Sequence, residues 1–512
     1  LNDSICETGV SDHGVEPGVW IYARADRARV IVDAEDYFEL MQMAVASAKH
    51  RVLMIGWDFD TRIHLTRGRR WWQRLTRRGE YPSRLGSFIL WLNSRNRQLE
   101  IRILKWGFGM PAMLARGSMI VDLARWFPHR RIDFKFDTAH PVGCSHHQKI
   151  VVIDDRLAVC GGIDMTGRRW DTREHREVDP RRKVPRGQPY GPWHDATMMM
   201  EGPVAQALDA LGRDRWIRAG GKPLARVEPR EESCWPQGLT AQFENVEVGI
   251  ARTRAEYDGS PAISEVEELF RIQIARAKRF IYAENQYFAS RVIAEAIAAR
   301  LAEPDPPEIL IVQPATADGW VETKAMDPAR ARLFSALREL DHAGRFHLYT
   351  PYTGETPIYV HAKLMIVDDE VLRIGSANFN NRSLGLDSEC DVFIDCARPG
   401  NEGCGAAIRD LRLSLLAEHC GIAESEIAGE LDRAGSMAAL IAAGGSRNGR
   451  QLRPFEPEEV GELEGGMADL AILDPEEPAE MFEFTGRRRG LFRSGGLLAK
   501  AIRRLDRKRR VR

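Results

Sequence analysis

Short runs of consecutive apolar residues, each preceded by an amphipathic stretch, recur along the chain. Asp33-Ala-Glu-Asp opens a pattern that predicts a helix through Ala48, and Arg51-Val-Leu-Met-Ile-Gly-Trp57 then predicts a buried strand. The pair returns later: Ser264-Glu-Val-Glu-Glu opens a helix to Lys278, and Arg279-Phe-Ile-Tyr-Ala283 comes next as a strand. Leu99–Lys105 and Glu308–Gln313 are further β-rich runs, and from Arg131 and Arg345 onward the two series align without a gap. Strands alternating with helices predict an α/β fold. Duplication of the whole series predicts two homologous α-β-α sandwich halves, related by a pseudo-two-fold axis, with any active site at their interface. The boundaries expected are 18–212 and 258–425 for the halves, with a Pro-, Gly- and Arg-rich connection over 213–257.

Beyond Cys420 the repeat stops. An acidic, loosely structured segment is expected over 445–485, and a basic tail over 486–512. The formal net charge of −1 hides this asymmetry. The tail holds twelve Lys/Arg against Asp506, net +11, so residues 1–485 carry −12. Within the tail Leu498, Ile502 and Leu505 follow helical spacing among basic residues, the pattern of a helix that lies on an anionic lipid surface. The equally weighted alternative is a basic tail folded back on the eleven Asp/Glu of 456–483. No apolar run approaches the ~20 residues that span a bilayer. Eight scattered cysteines without metal-site spacing predict reduced thiols, hence a cytoplasmic protein, peripheral at the inner membrane face if the tail binds lipid. A monomer is expected.

The aligned halves carry one sparse motif twice: His147-x-Lys149-x4-Asp154 and His361-x-Lys363-x4-Asp368. After each comes a small-residue turn, Gly161-Gly162-Ile163-Asp164 and Gly375-Ser376-Ala377-Asn378. A lone His on an apolar strand is ordinarily a satisfied core residue. Here each His has a Lys two residues on, projecting from the same strand face, and burying two lysines without an anion is costly. The pattern therefore points to chemistry at a phosphate, Lys supplying charge and a neutral His a nucleophile or proton carrier. Asp154 and Asp368 belong to the candidate catalytic motif, yet strand parity turns them away from their His, so their expected part is to brace a turn or a neighbouring backbone.

These residues resemble the phospholipase D superfamily, whose hallmark is a duplicated H-x-K-x4-D with a G-G/S-x-N-like turn. The resemblance extends to Pro192-Trp-His-Asp195, Glu284-Asn-Gln-Tyr-Phe288, Asp318-Gly-Trp-Val-Glu322 and Gly375-Ser-Ala-Asn-Phe-Asn-Asn-Arg-Ser383, and covers about residues 18–420. These segments favour the branch that resembles eukaryotic-type phospholipases D. The resemblance implies a two-step reaction through a phosphohistidine with no metal or other cofactor. It places the nucleophile at His147 and the general acid, then base, at His361. It has Lys149, Lys363 and Asn378 on the phosphoryl oxygens, with Ser376, Gly162 and Asp164 as further substrate-binding candidates. Asp164 departs from the usual Asn, which puts an oxyanion role there in doubt. An acidic residue behind each His is also implied: Asp195 for His147 and Glu389 for His361.

The expected activity is hydrolysis of the distal phosphodiester of glycerophospholipids, with transphosphatidylation to alcohols. A cardiolipin- or phosphatidyl-transferase-type synthase is an alternative, disfavoured by the lack of N-terminal membrane helices. A nucleic-acid phosphodiesterase is disfavoured by the acidic body, which repels polyanions, so no nucleic-acid partner is expected. A non-catalytic membrane scaffold is disfavoured by the intact motifs.

Overall fold

The strands pair into one hydrogen-bonded sheet system that runs through both halves. The computed structural model of the protein describes residues 16–66, 81–107, 117–228, 230–317, 320–444 and 446–457. In chain order the first half contributes β1 (Ile21–Val32), β2 (Arg51–Gly56), β3 (Glu100–Trp106), β4 (Ile132–Asp137), β5 (Ile150–Ile153), β6 (Leu157–Gly161), β7 (Trp193–His194) and β8 (Ala196–Glu201). The second contributes β9 (Phe243–Arg254), β10 (Ile263–Ser264), β11 (Phe280–Asn285), β12 (Glu308–Val312), β13 (Phe346–Thr353), β14 (Thr356–Pro357), β15 (Tyr359–Val360), β16 (Lys363–Val367), β17 (Val371–Gly375), β18 (Glu389–Asp395) and β19 (Arg450–Pro454).

The spatial order is the same in each half. From β1 outward it runs β8, β6, β5, β2, β3 and β4. From β9 outward it runs β18, β17, β16, β11, β12 and β13. The three outermost strands of this repeat are parallel in each half, as the helical crossovers Leu85–Arg95, Ser118–Trp126 and Arg291–Leu301 between them require. The two long strands β1 and β9 pair antiparallel with each other and join the halves.

Strands β5, β6, β16, β17 and β18 are buried along their whole length, because helices or the opposite half cover both faces. Inward residues of the two halves, among them Val152, Cys160, Ile366, Ile374 and Val392, share one apolar cluster with the helices Pro203–Arg218 and Gly405–Cys420. The opposite faces pack against Ala34–Ala46 and Leu85–Arg95 in one half and Glu265–Arg276 and Arg291–Leu301 in the other. The expected α/β architecture of two α-β-α halves is thus observed. Each fully buried Val, Leu or Ile contributes about 1.5–3 kcal/mol relative to exposure, so the shared cluster holds the halves firmly together.

Two expected segments are corrected. Residues 213–257 are no mere connection: they include the end of the helix Pro203–Arg218 and all of β9, the strand on which the second sheet is built. Its alternation is broken by Glu244, Asn245 and Glu247, which hid it beside a Pro- and Gly-rich stretch. The acidic segment expected from 445 also begins with structure. β19 pairs with β13 at the sheet edge, held by main-chain bonds, buried Leu452 and the guanidinium of Arg450 on the carbonyl of Glu418. Residues 458–485 and the tail 486–512 lie outside the described residues.

Candidate active site

Both motif segments approach the interface through main-chain pairing with the other half. The amide of His147 donates to the carbonyl of Ser388 at 2.9 Å, and that of His361 to the carbonyl of His194 at 2.7 Å. β7 and β15 pair in parallel beside the second contact, and a bridge between His146 and Ser388 marks the first. Each imidazole is thereby set against the carboxylate of the opposite half. His147 Nδ1 lies 3.0 and 3.1 Å from the two oxygens of Glu389, and His361 Nδ1 lies 2.7 Å from Asp195 Oδ2. The expected pairing, Asp195 with His147 and Glu389 with His361, is therefore exchanged. The cause is the parallel docking of each motif segment onto the residues that precede the other half's carboxylate strand.

Glu389 is held in turn by the hydroxyls of Ser376 and Ser383. Asp195 Oδ1 accepts from the Ala196 amide at 2.8 Å. Burial pushes Glu389 up to about 8 and Asp195 up to about 6, against the pull of the nearby cations. Burial and the charges of Lys149 and Lys363 hold His147 well below the usual imidazole range. His361 is lowered likewise, by burial and by Lys363, Arg169 and Lys149. Each lysine acts on both imidazoles, so the four side chains lie close together.

The lysines are anchored differently. Lys149 Nζ donates to the carbonyl of His147 at 2.8 Å and sits 3.4 Å from Asp164 Oδ2. Lys363 Nζ donates to the carbonyl of His361 and, at 3.0 Å, to Gln286 Oε1, which also accepts from Asn378 at 3.4 Å. Asn378 Oδ1 is buried without a partner. Trp57 stands edge-on to His147, while Trp193 stacks on Tyr359 and tilts against His361 with the guanidinium of Arg169 on its ring. These aromatic rings flank the imidazoles and reduce their contact with water, which strengthens electrostatics inside the site. Gln286, Arg169 and Tyr359 are not among the residues that the sequence singles out as candidates. Gln286 lies within Glu284-Asn-Gln-Tyr-Phe288, whereas nothing in the sequence marks the other two.

The remaining candidates serve the framework. Ser376 points its hydroxyl at Glu389 and its carbonyl at His147 Nδ1, 3.0 Å away. Gly162 leaves room for Asp195: a Cβ there would stand 2.1 Å from its Oδ1. Asp164 accepts from the amide of Trp57 at 3.0 Å and faces Lys149. The motif aspartates lie at the far end of the motif strands, as parity indicated, and are corrected from catalytic to bracing residues. Asp154 accepts from the amides of Lys49, His50 and Arg51, and Asp368 from those of Lys278, Arg279 and Phe280. Each pins the start of a parallel strand. Asp154→Ala would leave three amides short of an acceptor, at about 1–3 kcal/mol for a buried one. Urea unfolding of this variant should show a loss of several kcal/mol, whereas Asp154→Asn, which keeps an acceptor oxygen, should lose less.

The chain is similar to several known proteins. Residues 349–468 match the family model described as "Phospholipase D", and 270–399 match "Cardiolipin synthase, PLD-like domain". The chain is 25% identical to phospholipase D alpha 4 of Arabidopsis thaliana over 500 residues and 23% identical to phospholipase D alpha 1 of Nicotiana tabacum over 529. The chain belongs to the phospholipase D superfamily. Each alignment covers 76% of the chain and 64% of the relative, so the chain spans less than two thirds of these plant phospholipases D. Among solved structures, the phosphatidylserine synthase of Haemophilus influenzae Rd KW20 aligns with 82% of the chain and 95% of its own, at 12% identity and a TM-score of 0.49. Among the described residues no helix is long and apolar enough to cross a membrane.

Proposed function

We propose that the chain is a phospholipase D that hydrolyses the distal phosphodiester of glycerophospholipids through a phosphohistidine and can pass the phosphatidyl group to an alcohol. The observation that carries this reading is the facing pair of imidazoles, each with Nδ1 held by the other half's carboxylate and Nε2 left for the substrate. The carbonyl of Ser376 can only accept, so the proton of His147 stays on Nδ1 and the lone pair on Nε2. His147 Nε2 attacks phosphorus, and the P–O bond to the headgroup breaks as His361, taking up a proton when the phosphodiester anion binds beside it, gives that proton to the leaving alkoxide. His361 then takes a proton from water, whose oxygen displaces His147 and leaves phosphatidic acid. Lys149, Lys363 and Asn378 carry the non-bridging oxygens.

A panel of vesicles with different headgroups, assayed with a competing primary alcohol, tests the reading. Headgroup release with phosphatidic acid and phosphatidyl alcohol as products supports it; no release from any lipid overturns it. The match to a cardiolipin synthase domain favours a second reading, in which an alcohol-bearing lipid is the true acceptor. Adding phosphatidylglycerol to the panel separates the two: under that reading transfer outruns hydrolysis. The lipid surface is the partner either reading requires, with the basic tail as its proposed contact.

The site also sets a pH dependence. Burial brings Lys363 down to about 7. It is charged below that pH and neutral above it, so kcat/KM, which reports the free enzyme, should fall as pH rises through about 7. A bound phosphodiester anion raises the lysine's proton affinity, so the corresponding limb in kcat should lie at higher pH. Lys363→Arg, always charged, should lose the limb together with some activity.

A further inference from the structure

Behind the catalytic cavity lies a second, wholly buried set of ionisable groups that the reaction does not use. Asp33, His175, His194 and Glu418 each offer one ligand atom, and these atoms all lie within 4.8 Å of one another. His175 Nε2 and His194 Nδ1 are both 2.9 Å from Glu418 Oε1 and 3.4 Å from one or other oxygen of Asp33. Yet His194 Nδ1 and Asp33 Oδ2 make no hydrogen bond, although each is buried. His175 Nε2 and Glu418 Oε1 share a hydrogen bond at 2.9 Å, but the close approach of His194 Nδ1 and Asp33 Oδ2 without one is what ligand atoms show when they aim at a common point rather than at each other. A tetrahedral ion with bonds of 2.0–2.1 Å spaces its ligand atoms by about 3.3 Å, close to these separations.

The surroundings fit the same reading. A metal-bound imidazole ordinarily donates its second nitrogen to a carboxylate. Here His175 Nδ1 lies 3.0 Å from Asp171 Oδ2, and His194 Nε2 lies 2.8 Å from Glu284 Oε2. Both supporting carboxylates are fixed in their turn, Asp171 by Arg182 and the Trp193 amide, Glu284 by the Tyr282 hydroxyl and His419. Among the described residues Asp33 and Glu284 have only imidazoles as ionic partners. Asp33 occupies the position before the helix Ala34–Ala46 but does not cap it, its side chain being turned into the cluster instead.

We infer that Asp33, His175, His194 and Glu418 form a structural site for a four-coordinate divalent transition metal, zinc by its ligand chemistry. Two imidazoles and two carboxylates closed off from solvent suit Zn²⁺, whereas Ca²⁺ and Mg²⁺ prefer all-oxygen sites of six or more ligands. This revises the sequence expectation of no metal, which rested on cysteine spacing and on the reaction chemistry. The site ties both halves to the catalytic centre. The Asp33 amide donates to the Asp195 carbonyl at 2.8 Å, Asp33 Oδ1 accepts from the Asp195 amide at 3.2 Å, and the His194 carbonyl receives the His361 amide.

Elemental analysis of the full chain, purified without added metal and dialysed, should find about one zinc per chain. Removing it with a chelator should lower the melting temperature, and Zn²⁺ should restore it. Co²⁺ in its place should give the visible absorption of a four-coordinate ion, lost in His175→Ala and weakened or shifted in Glu418→Gln. A chain free of transition metal whose melting is unmoved by added Zn²⁺ or Co²⁺ overturns the inference, leaving a proton-sharing His–carboxylate network. Full metal content in both variants overturns it as well. None of these readouts depends on lipid turnover, so this site and the proposed activity stand or fall separately.

Discussion

A phosphatidyl ester of p-nitrophenol should release one equivalent of nitrophenolate from the His361→Ala variant, then stall, and none from His147→Ala. Nitrophenolate leaves without being protonated, so the first step needs only the nucleophile. The second step needs a base to activate water, and without His361 the phosphohistidine should accumulate. The family resemblance places the nucleophile at His147, and the Ser376 carbonyl beside its Nδ1 suits a tautomer that leaves Nε2 unprotonated for the proposed attack. On natural lipids both variants should lose turnover by about 10⁴-fold or more, as removal of one member of a coupled catalytic set does. An acid-labile phosphoenzyme on His147→Ala, with none on His361→Ala, would reverse the assignment.

The carboxylates extend the same assay. Glu389 positions His147 and Asp195 positions His361. Glu389→Ala should therefore suppress the burst, while Asp195→Ala should keep the burst and slow hydrolysis of the phosphohistidine. Losses of roughly a hundredfold to ten-thousandfold are expected for such supporting groups. Glu389→Gln keeps an acceptor oxygen for Nδ1–H and should recover part of the burst, which a merely structural role would not predict. The opposite pattern, with Asp195→Ala abolishing the burst, would mean that each carboxylate serves the histidine of its own half.

The parts of this site legible in the sequence were those that chemistry ties to short spacing. His147 with Lys149 and His361 with Lys363 lie two residues apart in the segments that lead into β5 and β16, so a spacing of two revealed them, while Asp154 and Asp368 stand just past the other end of those strands. The α/β halves were legible because β2 and β11 carry the apolar runs Val52–Ile55 and Phe280–Ala283 behind amphipathic helices. The carboxylate pairing was not legible. Asp195 and Glu389 hold equivalent places in their halves, and only the parallel docking of one half's motif on the other decides which histidine each meets. β19 was hidden because Arg-Gln-Leu-Arg-Pro has no period, its place being fixed by backbone pairing and Arg450. The buried cluster was hidden for another reason: Asp33, His175, His194 and Glu418 come from four separate points of the chain and leave no spacing to read.

The crossed carboxylates also bear on how the enzyme comes into being. As the chain emerges from the ribosome, His147 is made early, but the group that orients it, Glu389, arrives 242 residues later. The first half, even if folded, lacks both the carboxylate that orients its histidine and the second histidine, and so holds only half of the site. A truncated product ending before β18 still lacks that carboxylate. The site is complete only when the second sheet has closed on the first, so synthesis of the second half itself decides when the site's chemistry can begin.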